Sequence, residues 1–373
     1  MAEMPDLASE PLRSVHSTTF PELLQQLGIS LAVTTYQAGK LVLLRADGGK
    51  LNTHFRAFAR PMGLAFTRGR LAVGTTTEVW DFHDVPAVAV QLEPKGKHDA
   101  CFLPRSAHFT GDILIHEMAW AGQELWVVNT RFSCLCTLDH LHSFVPRWQP
   151  PFLTALAAED RCHLNGLGMV DGKPAFVTAL GLTDTARGWR ENKRNGGVLL
   201  ALPGGDVVLG GLSMPHSPRW RGGHLWLLES GSGSIGVVDP AEGRYRAVAE
   251  MPGFTRGLDF FDRYAFVGLS QVRETAVFSG LPITERTERH CGVWVIDVTS
   301  GRTVAFVQFQ GAVQEIFAVQ VLPGVRYPDV VNDDQKTIAD SFVLPEGPPG
   351  VAPIPFADGA GGGEATGFPV STT

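Results

Sequence analysis

The chain has 373 residues, 44% of them apolar and 18% charged, and a net charge of −7, enough apolar material for a large core in one domain or two. No Lys/Arg block tracks a phosphate backbone, and the acidic balance argues against nucleic acid and anionic membrane as partners. The five cysteines stand at irregular spacings unlike a disulfide framework; with no basic-then-apolar leader and no apolar run of bilayer length, a cytoplasmic protein is expected.

Residues 1–17 read as an N-terminal extension. FPELLQQLGIS then places Leu23, Leu24 and Leu27 at helical spacing and predicts a short helix packed on the β-rich region after it. LAVTTY (Leu31–Tyr36) and KLVLLRA (Lys40–Ala46) look like a second and a third strand without a first. From Arg60 the chain begins to repeat. RPMGLAFTRGRLAVGT starts at Arg60, HEMAWAGQELWVVNT at His116, HLNGLGMVDGKPAFVT at His163, HSPRWRGGHLWLLES at His216 and FTRGLDFFDRYAFVGLS at Phe254. Each is a short apolar strand, a polar or Gly turn and a second β-rich strand. A third strand usually comes next, as in EVWDF at Glu78, CLCTLD at Cys134 or CGVWVIDV at Cys291. VQEIFAVQVL, from Val313, is a first strand without successors. Period-two patterning in such copies, with little helical periodicity, predicts an all-β fold, a six-bladed β-propeller. Its last blade would be closed by Leu31–Ala46 pairing with Val313–Leu322, leaving no open edge there. Weak strands in Phe82–Asp112 would raise the count to seven. The propeller is expected over 18–343, with a Pro/Gly-rich tail, 344–373, that reads as disordered.

The phrases HFTGDILIHEMAW, RWQPPF, CHLNGLGM, MPHSPRW and LSQVRETAVFSGLPI resemble a family of bacterial conserved hypothetical proteins, a domain of unknown function assigned to the β-propellers. The resemblance covers nearly the whole chain except the tail and implies the fold without an activity. A weaker likeness runs to gluconolactonase and senescence-marker-type propellers, whose blades often open with Asn-Gly-Leu, as Asn165–Leu167 does here. That likeness implies a channel metal held by a Glu, two Asn and an Asp. Only Asn165 matches, with Glu315 as a candidate carboxylate, so that ligand set does not carry over.

In a propeller the first strand of each blade lines the central channel, so equivalent positions meet around one axis. Four residues before the aligned apolar position, the ring reads Arg60, His116, His163, His216, Phe254 and Val313. Two residues on it reads Met62, Met118, Asn165, Pro218, Arg256 and Glu315. Three imidazoles from adjacent blades suit a divalent Zn, Fe or Cu ion, with His116, His163 and His216 as ligands. Glu315 is then a further ligand or a base, with Asn165 beside it, and Arg60 and Arg256 are clamps for an anionic substrate. The expectation is a metal-dependent hydrolase, lyase or oxygenase acting on a small or peptide substrate at the channel. A metal-free binder of anionic ligands and a non-catalytic module binding a protein partner are the alternatives.

Other residues carry weaker signals. Cys134 and Cys136 share a strand, and Cys162 points away from His163. His98 and His108, in the long insertion near Asp99 and Arg105, read as solvated loop or lid. Thr185–Gly197, basic and Trp-bearing, reads as a solvated loop or a cover over the channel. Arg273 and Glu274 belong to the insertion Ser270–His290.

Overall fold

The computed structural model describes residues 12–272 and 279–344. The chain divides into two units, Met1–Ser341 and Phe342–Thr373; of the second, residues 342–344 are described, without regular structure. Most of the extension 1–17, nearly all of the tail, and Arg273 and Glu274 lie outside the described residues.

The repeats fold as their punctuation dictates. In the copy opening at Arg60, Thr67 pairs with Arg70 around Arg68–Gly69, and Gly69 sits at φ +76°, which a two-residue hairpin turn requires. Asp171–Gly172 does the same between Val170 and Lys173. Apolar residues on the strands between turns fill both faces of each sheet, because every sheet packs between two neighbours.

Six sheets result. Blade 1 joins Ala318–Pro323, innermost, to Ile29–Thr35, Lys40–Asp47 and Lys50–Ala57. Blade 2 runs from Leu64–Thr67 through Arg70–Gly74 and Glu78–Asp84 to Ala100–Phe109. Blade 3 comprises Ile115–Ala121, Glu124–Asn129, Cys134–Thr137 and Val145–Trp148. Blade 4 comprises Leu164–Val170, Lys173–Ala179, Gly197–Ala201 and Asp206–Leu212. Blade 5 comprises Pro215–Arg221, His224–Glu229, Ser234–Asp239 and Arg244–Glu250. Blade 6 comprises Phe254–Phe261, Tyr264–Ser270, Cys291–Asp297 and Arg302–Gln310.

The ring closes as the unmatched half-blades imply: Ile29 pairs with Pro323 and Thr34 with Ala318, antiparallel. The C-terminal partner starts at Ala318 rather than Val313, because Val313 and Ile316 are drawn into the core with Phe309 and Val319. Phe82–Asp112 holds no seventh blade; after one helical turn at Pro86–Ala89 it supplies the outer strand of blade 2. Two short strands cover outer edges. Arg13–His16 pairs with Gln310–Val307, and Pro328–Val330 runs parallel to Ala100–Phe102.

The predicted helix is Thr19–Leu27; Phe20, Leu23 and Leu24 pack into the core shared by blades 1 and 6. His98 departs from the solvated-loop expectation. It is buried against Tyr327, at 5.3 Å between ring centroids, with Asp329 at 4.0 Å, because the Pro328–Val330 strand passes over it. His108 lies on the outer strand of blade 2, its Nε2 3.0 Å from the Ser143 carbonyl. No helix among the described residues is long and apolar enough to cross a membrane.

Candidate functional site

His116, His163 and His216 meet at one end of the channel. The rings of His116 and His163 are 4.8 Å apart, edge to face, and those of His116 and His216 are 6.4 Å apart and nearly parallel. His116 and His216 are 7% and 5% exposed; His163 is half-buried.

Backbone outliers aim these side chains. Leu114 and Met214, each two residues before a histidine, have φ of 52° and 47°, a region that bulky residues avoid and that recurs where structure over-determines it. The turn delivers the Leu114 carbonyl to His116 Nδ1 at 3.1 Å and the Met214 carbonyl to His216 Nδ1 at 3.0 Å. A hydroxyl completes each pair, Thr130 Oγ1 at 2.8 Å and Ser230 Oγ at 2.9 Å. Blade 4 solves the same problem differently. His163 itself has φ 51°, and its Nδ1 meets the Asp160 carboxylate at 2.9 and 3.1 Å.

These partners fix the tautomers. A carbonyl and a carboxylate only accept, and Thr130 donates its own proton to the Leu164 carbonyl. Nδ1 therefore carries a hydrogen on all three rings, and the neutral tautomer that this selects has its lone pair on Nε2. Nε2 makes no hydrogen bond on any of the three among the described residues. Burial, then Arg256, then the neighbouring imidazoles hold His116 well below the ordinary histidine pKa. Burial, Arg256 and His163 do the same for His216, so both stay neutral at pH 7.

The other residues of the expected ring are more scattered. Arg60 is exposed, its guanidinium 5.6 Å from the Tyr36 ring. Arg256 stacks on Phe317 at 3.6 Å. Burial lowers the Arg256 pKa to about 10, with Glu315, Tyr36 and Glu117 pulling it back, so it remains a cation at neutral pH. Glu315 is half-buried and near enough to act on Arg256 without an ion pair among the described residues. Val313 is in the core, and Phe317 stands against His116 in its place, at 5.1 Å. Asn165 is fully engaged within the protein, donating to the Pro215 carbonyl at 3.0 Å and accepting from Thr178 Oγ1 at 2.6 Å.

The Thr185–Gly197 segment is not simply solvated. It carries a 3-10 turn, Gly188–Asn192, and buries Trp189 with its ring 4.5 Å from His163. Trp189 Nε1 donates to Asp160 at 3.1 Å, so the insertion packs one side of the site. Deeper in the channel, Glu117 accepts from Arg219 at 3.1 Å, from Ser217 at 2.6 Å and from the Leu167 amide at 2.7 Å, tying blades 3, 4 and 5 together. Beyond it opens a cavity of about 330 Å³ bordered by Trp120, Trp220, Asp259 and Gln320.

The cysteines are all free and buried. Burial pushes the Cys134 and Cys162 thiols up to about 12, which removes them as nucleophiles. Among the described residues no group of three or more His, Cys, Asp or Glu stands at the spacing of a bound metal ion.

A solved nidogen/laminin complex contains a chain similar in fold, 10% identical, with a TM-score of 0.51, over 80% of this chain and 99% of that one. A protein of unknown function from Bacteroides caccae is 10% identical with a TM-score of 0.48, over 79% and 98%. A virginiamycin B lyase from Staphylococcus aureus is 9% identical with a TM-score of 0.38, over 75% and 76%. No curated protein matches this chain. The model of the family described as Domain of unknown function (DUF4915) matches residues 18–331, and the chain belongs to that family.

Proposed function

We propose that this member of the DUF4915 family is a metal-dependent enzyme whose divalent ion is held by His116, His163 and His216 at the histidine end of the channel. The observation that carries the reading is the shared tautomer. Three rings from three blades each spend Nδ1–H on an acceptor within the protein and keep a bare Nε2, as metal-ligating histidines do. Bare Nε2 atoms repel an anion but suit a cation, and burial keeps His116 and His216 neutral, which ligation needs. The ring centroids of His116 and His216 stand 6.4 Å apart, and an ion held by both would require their Nε2 atoms to converge. Bound there, Zn, Fe or Cu would acidify a water molecule or open a position for O₂.

The chain's own residues do the rest. Arg256 and Arg60 hold an anionic group of a small or peptide substrate, and Phe317 fixes the plane of the Arg256 guanidinium. Glu315 is the carboxylate available as a further ligand or a base. Asn165, with both ends of its amide spent, keeps the inner strands of blades 4 and 5 in place. Asp160 orients His163.

A metal-free reading, in which the same end binds an anionic ligand alone, is favoured by two observations. No ligand group stands at metal spacing among the described residues, and Arg256 adds a positive charge beside the rings. Elemental analysis of purified protein separates the two. The metal reading predicts close to one Zn, Fe or Cu per chain, lost in H116A and H216A; metal-free wild-type protein that takes up none of these ions on titration overturns it.

A further inference from the structure

The site is bounded by one continuous run of ring contacts. From the His116 ring it passes to His163 at 4.8 Å and on to Trp189 at 4.5 Å, with the Arg190 guanidinium 5.4 Å from the indole. In the other direction it passes from His116 to Phe317 at 5.1 Å, and Arg256 lies 3.6 Å over that ring. Phe317 also meets Tyr36 at 5.8 Å, and Arg60 caps Tyr36 at 5.6 Å. Three branches end in a guanidinium; a fourth runs from His116 to His216 at 6.4 Å and on to Phe254 at 5.8 Å. None of these three arginines has a carboxylate or hydrogen-bond partner for its side chain among the described residues, whereas Arg56, Arg70, Arg161 and Arg219 are all paired with acids. Of the nearby acids, Asp160 is occupied by His163 and Trp189, and Glu315 makes no ion pair among the described residues.

The Arg256 guanidinium, 3.6 Å over Phe317, has its plane fixed and its edge free, the geometry that receives a planar oxyanion with two parallel hydrogen bonds, while Arg60 and Arg190 are exposed cations within cation–π range of their rings. All three lie at the ends of ring contacts that meet at His116, on a chain of net charge −7, and bring positive charge to the histidine end of the channel. We infer that the substrate of this site is a small molecule carrying more than one oxyanion group, carboxylate or phosphate, received by Arg60, Arg190 and Arg256. This rests on the placement of the active site at the histidine end, and adds both the class of ligand and Arg190, which comes from an insertion rather than from a blade.

The test is calorimetric titration of full-length protein, stripped of metal with chelator and dialysed, with succinate and with inorganic pyrophosphate as probes. At least one of them binds saturably, and which one it is separates carboxylate from phosphate. R60A, R190A and R256A each weaken binding by roughly tenfold or more, while R302A, on the outer strand of blade 6, does not. R190K and R256K, which keep charge but lose the fork, fall in between and cover the case of an alanine variant that misfolds. Metal content, measured on each variant as purified and before stripping, is unchanged in the arginine variants, so the metal reading and this one fail separately. Absence of saturable binding for both probes, or equal affinities across wild type and arginine variants, overturns the inference.

Discussion

At the scale of single residues, the three histidines are alike in what they expose and different in how they are held. His116 and His216 lean on a carbonyl turned inward by a left-handed residue and on a hydroxyl fourteen residues downstream, Thr130 and Ser230 respectively. His163 leans on a carboxylate. Removing the hydroxyl therefore loosens a ring without unbalancing charge. T130A or S230A should cost about 1 kcal/mol in urea denaturation and weaken metal binding by about 10–100-fold, read by competition with a chromophoric chelator. D160N should do more, because the substituted amide can present its NH₂ to Nδ1 and reverse the tautomer; metal affinity unchanged in D160N would contradict the orientation assigned to His163. The three histidines are legible in the sequence because they repeat at one register. Their acceptors are not: Leu114 and Met214 are ordinary apolar residues whose importance lies in a backbone angle, and Asp160 has no counterpart in the neighbouring blades.

At the scale of elements, strands and closure arise from alternation and turn chemistry, and the errors fall where neither applies. Val313–Phe317 reads as strand because it is apolar, but it crosses the channel end as a loop. That displacement replaces Val313 with Phe317 at the ring and gives Arg256 its stacking partner. The Thr185–Gly197 insertion looks solvated from its charges, and one indole decides otherwise. W189A removes a fully packed ring beside His163 and should destabilise the protein by about 3 kcal/mol, with loss of the Asp160 contact; thermal denaturation checks the first and metal affinity the second. Blade 6 offers a separate test. A side chain at Gly268 would strike the Arg256 carbonyl, so G268A should disturb the inner strand that carries Arg256 and lower affinity for an oxyanion probe while leaving metal content intact.

At the scale of the whole molecule, the ring puts two neutral histidines and a cation into one low-dielectric space, and this has a pH signature. Burial depresses the folded-state pKa of His116 and His216 below the ordinary value near 6.5. The unfolded chain then binds more protons than the folded one below that value, so stability is complete above about pH 6.5 and is lost as pH falls toward the folded-state pKa values. Urea midpoints measured on metal-free protein from pH 7.5 to 5.5 should fall more steeply for wild type than for the H116A/H216A double variant; parallel curves would mean that the two rings take up protons freely in the folded state.

The proposed enzyme turns on one ion sitting on three imidazoles drawn from three blades. X-ray absorption at the metal edge reads this directly in the purified protein. Ligation by the three histidines predicts a nearest shell of nitrogen or oxygen at about 2.0–2.1 Å, with outer-shell scattering from three imidazole rings in wild type and from two in H163A. A first shell of sulfur, a spectrum without imidazole scattering, or one unchanged in H163A would contradict it.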